Sequence, residues 1–250
     1  MQAVILAGGL GTRLRPLTEK IPKALVPVAG RPFIEYQIDV FRRYGVTDLI
    51  VCVGYLGHMI EEYLGDGRRY GVSVRYGYEG ENLLGTAGAV KNVERFLDSV
   101  FFVQYGDSYL QVDYRDVMSS LLRRGALGLM VVYRNEDRWD RSNVVVADGF
   151  VRAYDKARRL PGMVYIDYGV SALRRDVLSR IPAGVPVDLS EVFQGLIEEN
   201  QLLAYEAAVR FYEVGSWSGL REFEELVRSG EIDVPSPGSL AGVMPTGGER

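Results

Sequence analysis

The sequence contains few side chains that form disulfides or transfer protons near neutral pH, with one cysteine and one histidine among 250 residues. A single cysteine excludes an internal disulfide, and Cys52 lies in an apolar run over residues 49–53, where an inert core thiol is expected. His58 stands at the start of a short helical pattern, where a surface position without a chemical role is expected. This scarcity of histidine argues against a hydrolase.

Long apolar runs and an excess of positive charge are also missing. The apolar start over residues 1–6 has no basic head, and a membrane span would need roughly 20 apolar residues. The 29 Lys and Arg residues stand against 33 Asp and Glu, and the net charge of -4 gives no basic surface for a nucleic-acid polymer. We therefore expect a cytoplasmic protein that binds neither a membrane nor a nucleic-acid polymer.

Short apolar runs alternate with helical patterns through the first half of the chain, which indicates an α/β fold with a mainly parallel central sheet. The predicted strands cover residues 4–6, 49–53, 72–76 and 101–104, and the predicted helices cover residues 33–44, 58–64 and 87–96.

The second half has a different pattern. Strands are predicted over residues 129–133, 143–146 and 150–154, with a hairpin turn at Asp148 and Gly149, and helices over residues 189–199 and 220–228. From residue 231 on, proline and glycine are frequent. We therefore expect one domain over residues 1–230 and a disordered tail over residues 231–250.

The loop after the first strand is the most informative segment. Its glycines, Gly8, Gly9 and Gly11, let the backbone approach a ligand and point N–H groups at phosphates. Leu14 replaces the third glycine of a dinucleotide fingerprint, and Thr12 follows Gly11 where a P-loop has lysine. Both of these better-known phosphate loops are therefore excluded.

Charged residues complete this glycine cradle. Arg13 and Lys23 follow it and are placed to meet negative charge. Asp107 comes just after the strand predicted over residues 101–104, at the sheet edge where open α/β folds bind ligands. A carboxylate there suits Mg²⁺, although a plain turn residue after Gly106 is the alternative for the dipeptide alone.

Several motifs in this order resemble the sugar-1-phosphate nucleotidyltransferase family. They are Leu6-Ala7-Gly8-Gly9 with Gly11-Thr12-Arg13, Pro22-Lys23, Leu84-Gly85-Thr86-Ala87-Gly88-Ala89, Gly106-Asp107, Asp155-Lys156 and Tyr212-Glu213-Val214-Gly215. The resemblance covers about residues 1–228. It is strongest to the short members that act on mannose 1-phosphate or heptose 1-phosphate with GTP.

The resemblance implies a Rossmann-like, three-layer nucleotide-diphospho-sugar transferase fold. It also implies a reaction in which a sugar 1-phosphate attacks the α-phosphorus of a nucleoside triphosphate and pyrophosphate leaves. A phosphate monoester has a second pKa of about 6, so this nucleophile is largely a dianion at neutral pH and needs no general base.

The family's functional residues can be assigned to matching positions of this sequence. The resemblance implies catalytic roles for Arg13, on pyrophosphate, and Lys23, on the α-phosphate. It implies nucleotide binding by Leu6, Ala7, Gly8, Gly9, Gly11, Thr12, Gly85 and Thr86, substrate binding by Lys156, Asp167 and Gly88, and Mg²⁺ binding by Asp107 and Glu213. Three positions depart from the family pattern. Glu213 stands where aspartate is usual, Asp155 where glutamate is usual, and Asp167 where asparagine is usual.

Other functions remain open at the level of sequence. One is a non-catalytic regulatory subunit that binds a nucleotide sugar, and another is a phosphocholine cytidylyltransferase, which has a similar opening. A glycosyltransferase is disfavoured, since Gly106-Asp107-Ser108-Tyr109 lacks an Asp-x-Asp metal pair. The base and the sugar are not determined, and exposed apolar residues in the second half could form a homodimer face.

Overall fold

The computed structural model describes residues 1–80 and 83–232. Within these residues the strands are β1 (Gln2–Leu6), β2 (Pro27–Val28), β3 (Arg31–Pro32), β4 (Asp48–Val53), β5 (Ser73–Tyr78), β6 (Val100–Tyr105), β7 (Ser108–Tyr109), β8 (Gly128–Arg134), β9 (Val144–Ala147), β10 (Phe150–Tyr154), β11 (Tyr165–Arg174), β12 (Leu202–Glu206) and β13 (Tyr212–Glu213). The α-helices are α1 (Phe33–Arg43), α2 (Gly57–Leu64), α3 (Gly85–Asn92), α4 (Tyr114–Arg124), α5 (Leu189–Glu198) and α6 (Trp217–Ser229). Of the predicted tail, residues 233–250 lie outside the described residues.

A nine-stranded sheet in the order β5-β4-β1-β6-β11-β8-β12-β10-β9 organises the molecule. β1 pairs in parallel with β4 and β6, β4 with β5, and β8 with β12. β11 is antiparallel to β6, β8 and β9, and β10 is antiparallel to β9 and β12. The four neighbouring strands β5, β4, β1 and β6 are all parallel, as expected, whereas parallel and antiparallel pairs occur together in the rest of the sheet, so the sheet as a whole is mixed.

The antiparallel part follows from a change in the connections. Helical crossovers join β1, β4, β5 and β6, whereas β9 and β10 meet through the predicted hairpin. Asp148 and Gly149 both have positive φ angles, 55° and 73°, as a tight two-residue turn requires. A tight hairpin can join only antiparallel neighbours.

Helices cover both faces of the sheet. The helix, sheet and helix layers form the three-layer arrangement that the resemblance implies. Side chains alternate along β1, so Ala3 and Ile5 pack in one core with α1, α2, α4 and α6. Val4 packs in a second core with residues of α3 and α5. None of the described helices is both long enough and apolar enough to cross a membrane.

Most predicted elements are present, with small shifts at their ends. The helix predicted over residues 87–96 is α3 followed by the 3₁₀ turn Glu94–Phe96. The sequence analysis did not predict α4, β11 or β12.

A buried glutamine holds the turn that carries Asp107. Gln37 of α1 is 1% exposed, and its side-chain amide donates to the carbonyls of Tyr105 and Ser108 at 3.0 and 2.9 Å. Gly106 between them donates its N–H to the Leu6 carbonyl at 3.0 Å. A Cβ at Gly106 would lie only 2.5 Å from that same oxygen, so the close approach of the turn to β1 requires glycine.

We expect Gln37→Leu to lower the free energy of unfolding by about 1–3 kcal/mol, because the partly buried Tyr105 carbonyl loses its donor from Gln37. Urea unfolding monitored by circular dichroism measures the change. Gln111→Leu is the control, since the Gln111 side chain forms no hydrogen bond within residues 1–80 and 83–232. An equal effect of the two substitutions would contradict the structural role of Gln37.

Candidate active site

A cavity of about 300 Å³ opens beside the carboxyl ends of β1 and β6. It is lined by Leu6, Ala7, Gly8, Gly9, Lys23, Ala24, Glu79, Leu83, Gly85, Thr86, Ala89, Tyr105, Gly106 and Asp107. Segments that are far apart in the sequence therefore meet here, and eight of the residues assigned from the sequence line one cavity. The remaining ones, Gly11, Thr12, Arg13, Gly88, Lys156, Asp167 and Glu213, are not part of its lining.

The glycine loop is held in place by residues that do not line the cavity. Gly11 has a φ angle of 61° and precedes the 3₁₀ turn Thr12–Leu14, whose Leu14 is fully buried. The Thr18 hydroxyl donates to the Gly11 carbonyl at 2.7 Å. A Cβ at Gly9 would meet no atom within 4 Å, so this residue borders open space. The loop thus has a fixed base and an open side for a ligand.

Each predicted cation pairs with a predicted metal-binding carboxylate. Lys23 Nζ lies 2.5 Å from Asp107 Oδ2, and both side chains are about one-fifth exposed. Arg13 lies 2.6 Å from Glu213 Oε1 in a more exposed pair. The four charges therefore neutralise one another, and an incoming anion would compete with carboxylates for both cations.

A small two-stranded sheet brings the backbones of Asp107 and Glu213 together. β7 and β13 pair so that Glu213 lies opposite Ser108, and the Val214 N–H donates to the Asp107 carbonyl at 2.8 Å. Asp107 and Glu213 are 106 positions apart in the sequence, yet they sit on adjoining backbone segments. The pairing of β7 with β13 thus connects the turn that carries Asp107 to the strand that carries Glu213.

The segment containing Gly85 and Gly88 has a role that the sequence did not reveal. The N–H groups of Ala87 and Gly88 both donate to the carbonyl of Val187, at 2.9 and 3.2 Å. A Cβ at Gly85, where φ is 70°, would lie 2.5 Å from that oxygen. These N–H groups are therefore engaged by the chain before α5, and glycine permits its close approach.

Thr86 connects the cavity wall to α5. Its hydroxyl donates to Asp188 Oδ2 at 3.0 Å and accepts from the Leu189 N–H at 2.7 Å. It does not cap its own helix, whose N-cap residue is Leu84.

Glu79 lines the cavity and was not identified from the sequence. Its Oε2 accepts the Leu84 N–H at 2.8 Å, and a Cβ at Gly8 would clash with its carboxylate. Burial raises the pKa of Glu79, although the Leu84 hydrogen bond opposes that shift. The signal was available, since Glu79 follows the carboxyl end of parallel strand β5, and the same argument identified Asp107.

Lys156 lies among side chains of β6 and the start of α5. Its Nζ is 3.3 Å from the Tyr105 hydroxyl and 3.6 Å from Asp188 Oδ1. Burial disfavours the charge of Asp188, but hydrogen bonds from Ser190 together with the charge of Lys156 outweigh it and lower the Asp188 pKa. Lys156 is thus a half-exposed cation beside a carboxylate that stays ionised.

Asp167 has both carboxylate oxygens engaged within the protein. The Tyr154 hydroxyl donates to Oδ2 at 2.9 Å, and the Gly169 N–H donates to Oδ1 at 3.0 Å. Burial raises the pKa of Asp167, against the effects of the Gly169 hydrogen bond and of the Lys156 charge. A substrate hydroxyl would have to share these oxygens with their present donors.

We expect Asp167→Asn to stabilise the fold more at pH 8 than at pH 4. The raised pKa means that folding disfavours the charged form, so the contribution of Asp167 to stability falls as pH rises through its folded pKa. Asparagine keeps an acceptor for Gly169 and removes the charge. Urea unfolding at the two pH values measures the difference, and a gain that shrinks with rising pH would refute the assignment.

Comparison with known proteins identifies related chains. A family model described as Nucleotidyl transferase matches residues 2–160. A mannose-1-phosphate guanyltransferase of Gibberella zeae is 32% identical over 222 residues, which are 86% of this chain and 61% of that protein. A UTP–glucose-1-phosphate uridylyltransferase of Synechocystis sp. is 30% identical over 80% of this chain and 56% of that protein. The chain thus spans less than two thirds of the length of these two relatives.

A shorter relative and two solved structures match over larger shares of their lengths. A D-glycero-alpha-D-manno-heptose 1-phosphate guanylyltransferase of Campylobacter jejuni is 31% identical over 72% of this chain and 78% of that protein. HddC from Yersinia pseudotuberculosis has a TM-score of 0.76 at 24% identity, covering 90% of this chain and 99% of that one. A structure from Bacillus anthracis has a TM-score of 0.83 at 20% identity, covering 94% and 97%. These structural matches support the α/β fold described above.

Proposed function

This chain belongs to the sugar-1-phosphate nucleotidyltransferase family, and from that premise we propose that it transfers a nucleotidyl group from a nucleoside triphosphate to a sugar 1-phosphate. The observation that carries the proposal is the convergence of the glycine loop, Lys23 and Asp107 on one cavity. Together they provide a backbone cradle, a cation and a carboxylate at the carboxyl edge of the sheet. Nucleotide polyphosphates are bound at this edge in open α/β folds.

The chemistry requires positioning and charge neutralisation more than proton transfer. A phosphate oxygen of the sugar 1-phosphate forms a bond to the α-phosphorus, and the bond from that phosphorus to the β-phosphate oxygen breaks. The bonding electrons leave with pyrophosphate, and no proton has to move. Lys23 neutralises charge at the α-phosphate and Arg13 at the leaving group, which lowers the repulsion between the two anions. Lys156 holds the sugar phosphate.

The residues present fit a magnesium ion held in part by substrate. Asp107 and Glu213 supply two carboxylates, and the described residues hold no group of three or more His, Cys, Asp or Glu side chains arranged as a metal site. Mg²⁺ commonly takes one or two carboxylates and completes its shell with phosphate oxygens and water. When bound, the ion supplies positive charge to the phosphates. We assign Asp107 and Glu213 to hold it.

Glu79 favours guanine as the base. Guanine presents a ring N–H and an amino group side by side, and a carboxylate can accept from both. Uracil and thymine instead flank their ring N–H with carbonyl oxygens, which a carboxylate repels. The Leu84 N–H fixes the orientation of Glu79 at the cavity wall, and both guanyl- and uridylyltransferases occur among the relatives. We therefore propose GTP as the nucleotide. The guanylyltransferases among the relatives, which are named for mannose 1-phosphate and heptose 1-phosphate, support one of these sugars as the acceptor.

Pyrophosphate release tests the proposed reaction directly. The purified protein is incubated with Mg²⁺ and each pair from GTP, UTP, dTTP, CTP and ATP against mannose, heptose and glucose 1-phosphates and phosphocholine. We expect release only when both substrates are present, fastest with GTP and with mannose or heptose 1-phosphate. Asp107→Ala should reduce turnover by about 10³-fold or more with the fold intact, as judged by circular dichroism.

The control for that substitution is Asp176→Ala, which removes an exposed carboxylate in the 3₁₀ turn Arg175–Arg180 and should leave turnover unchanged. No release from any pair would reject the enzyme and favour a binding subunit. Magnesium-dependent turnover by Asp107→Ala would reject the metal assignment.

A second experiment tests how the base is read. Glu79→Gln replaces two acceptors with one acceptor and one donor, which matches the edge of uracil better than that of guanine. We expect the ratio of kcat/KM for GTP to that for UTP to fall by about 10- to 100-fold. Glu198→Gln on the exposed end of α5 is the matched control. An unchanged ratio in Glu79→Gln would remove Glu79 from base recognition.

A further inference from the structure

Asp188, the N-cap residue of α5, is a carboxylate beside the site that no step of the reaction described so far uses. Its Oδ1 lies 3.6 Å from Lys156 Nζ, and the two side chains are 42% and 44% exposed. The pKa of Asp188 is lowered, so its carboxylate is ionised at neutral pH. A negative charge therefore lies beside the cation assigned to the sugar phosphate.

The Asp188 carboxylate is held on both of its oxygens. Oδ1 accepts the Ser190 N–H at 2.8 Å, and Oδ2 accepts the Thr86 hydroxyl at 3.0 Å. The Asp188 N–H donates in turn to Glu191 Oε1 at 3.0 Å, which completes a capping box at the start of α5. Rotation of the carboxylate away from an incoming anion would break both of its hydrogen bonds.

The Lys156 ammonium is held in place as well. Nζ lies 5.2 Å from the centre of the Tyr105 ring and 5.8 Å from that of the Tyr154 ring, which are cation–π distances. A phosphate oxygen in contact with Nζ would then lie within about 6.5 Å of Asp188 Oδ1. That separation is shorter than the Debye length of about 8 Å at physiological ionic strength, so salt screens the repulsion between the two anions only in part.

Asp167 is a second carboxylate whose charge acts on Lys156, but its ionisation is opposed. Burial raises the pKa of Asp167, against the effects of the Gly169 hydrogen bond and of the Lys156 charge. The two carboxylates thus have pKa values shifted in opposite directions. Asp188 is consequently the carboxylate that an anion at Lys156 would meet in its charged form.

The charge of the acceptor phosphate changes during the proposed reaction. Before the attack this phosphate is largely a dianion. In the product the same phosphate is linked on both sides and carries a single negative charge. A nearby carboxylate therefore repels the bound acceptor more than the transition state, in which part of that charge has moved toward the α-phosphorus. An interaction that differs between these two states changes kcat, whereas an equal one changes only KM.

We propose that Asp188 is a positioning residue that acts through Lys156, weakens the hold of this cation on the dianionic acceptor phosphate, and thereby speeds the attack on the α-phosphorus. The inference rests on the proposed function, because it concerns the acceptor phosphate of that reaction. Asp188 forms no bond to the substrate and moves no proton. Thr86 and the start of α5 keep its charge in place while the acceptor binds.

Binding of the acceptor without a nucleotide tests the proposal in the absence of turnover. Asp188→Asn removes the charge, and asparagine is as good an N-cap as aspartate. We expect isothermal titration calorimetry to show mannose 1-phosphate binding about 3- to 10-fold more tightly to this variant than to the unsubstituted protein. The methyl phosphodiester of mannose 1-phosphate carries one charge instead of two, so its affinity should increase less.

These titrations can overturn the proposal in two ways. The affinity for mannose 1-phosphate would stay the same or fall in Asp188→Asn, or the affinities for the phosphate and for its methyl diester would rise equally. Absence of binding of both mannose 1-phosphate and glucose 1-phosphate to either protein would overturn it as well.

Asp113→Asn is the matched control. Asp113 is the N-cap residue of α4, and its Oδ1 accepts the N–H groups of Arg115 and Asp116 at 2.9 and 3.2 Å. Both substitutions replace an aspartate cap by asparagine, but only Asp188→Asn removes the charge beside Lys156. Asp113→Asn should leave the affinity for mannose 1-phosphate within about twofold, and circular dichroism should show an intact fold for both variants. Equal gains in affinity would assign the effect to the cap and reject the charge.

Kinetics with GTP test the consequence for catalysis. In Asp188→Asn we expect KM for mannose 1-phosphate to fall about 3- to 10-fold and kcat to fall about 2- to 5-fold, because the bound acceptor is stabilised more than the transition state. KM for GTP should stay within about twofold. A merely structural role would lower kcat without tightening the acceptor. A raised KM for mannose 1-phosphate, or a kcat that does not fall, would overturn the proposal.

The two hypotheses fail in different ways. Pyrophosphate release that is insensitive to Asp188→Asn would leave the reaction standing and reject the role of Asp188. Absence of release from every substrate pair would reject the reaction. Tighter binding of mannose 1-phosphate to Asp188→Asn would in that case still support the effect of its charge on Lys156, and unchanged binding would reject both.

Discussion

The ion pair between Lys23 and Asp107 is the interaction on which the rest of the site depends. The two residues are 84 positions apart and meet at 2.5 Å, with side chains about one-fifth exposed. Deeper burial would add a desolvation cost of several kcal/mol per charge, and full exposure would reduce their attraction for a ligand to about 0–1 kcal/mol. Their intermediate depth keeps both charges available. The turn that carries Asp107, and with it the burial of the ion pair, is fixed by Gln37, by Gly106 and by the pairing of β7 with β13.

Local features of this arrangement could be predicted from the sequence. The glycine loop, its two cations and Asp107 each give a signal within a few residues, because strand ends and glycine-rich turns depend on local backbone preferences. The same holds for the hairpin at Asp148 and for the helices of the first half. Family resemblance added Glu213 and Lys156, whose immediate surroundings carry no comparable signal.

The rest depends on contacts between distant segments, which no local pattern contains. Gly85 and Gly88 resemble ligand-binding glycines in sequence, yet the carbonyls of Val187 and Val185 approach them closely, and only the fold shows this. Strand β11 lies between β6 and β8 and is antiparallel to both. Its partners could therefore not be inferred from the alternation of strands and helices. Cavity walls built from several segments, such as the wall that contains Lys23, Glu79 and Thr86, are hidden for the same reason.

Mutual neutralisation also explains how an acidic chain can accommodate anions. With a net charge of -4 the protein does not attract polyanions over long distances, so binding must come from local exchange of partners. Under the proposed function, phosphates replace the carboxylates as partners of Arg13 and Lys23, which would leave Asp107 and Glu213 with unpaired negative charge. A divalent cation would remove that cost, whereas it would gain little from carboxylates that are already paired. Under the proposed function, nucleotide and cation would therefore strengthen each other's binding, and by linkage the effect would be equal in both directions.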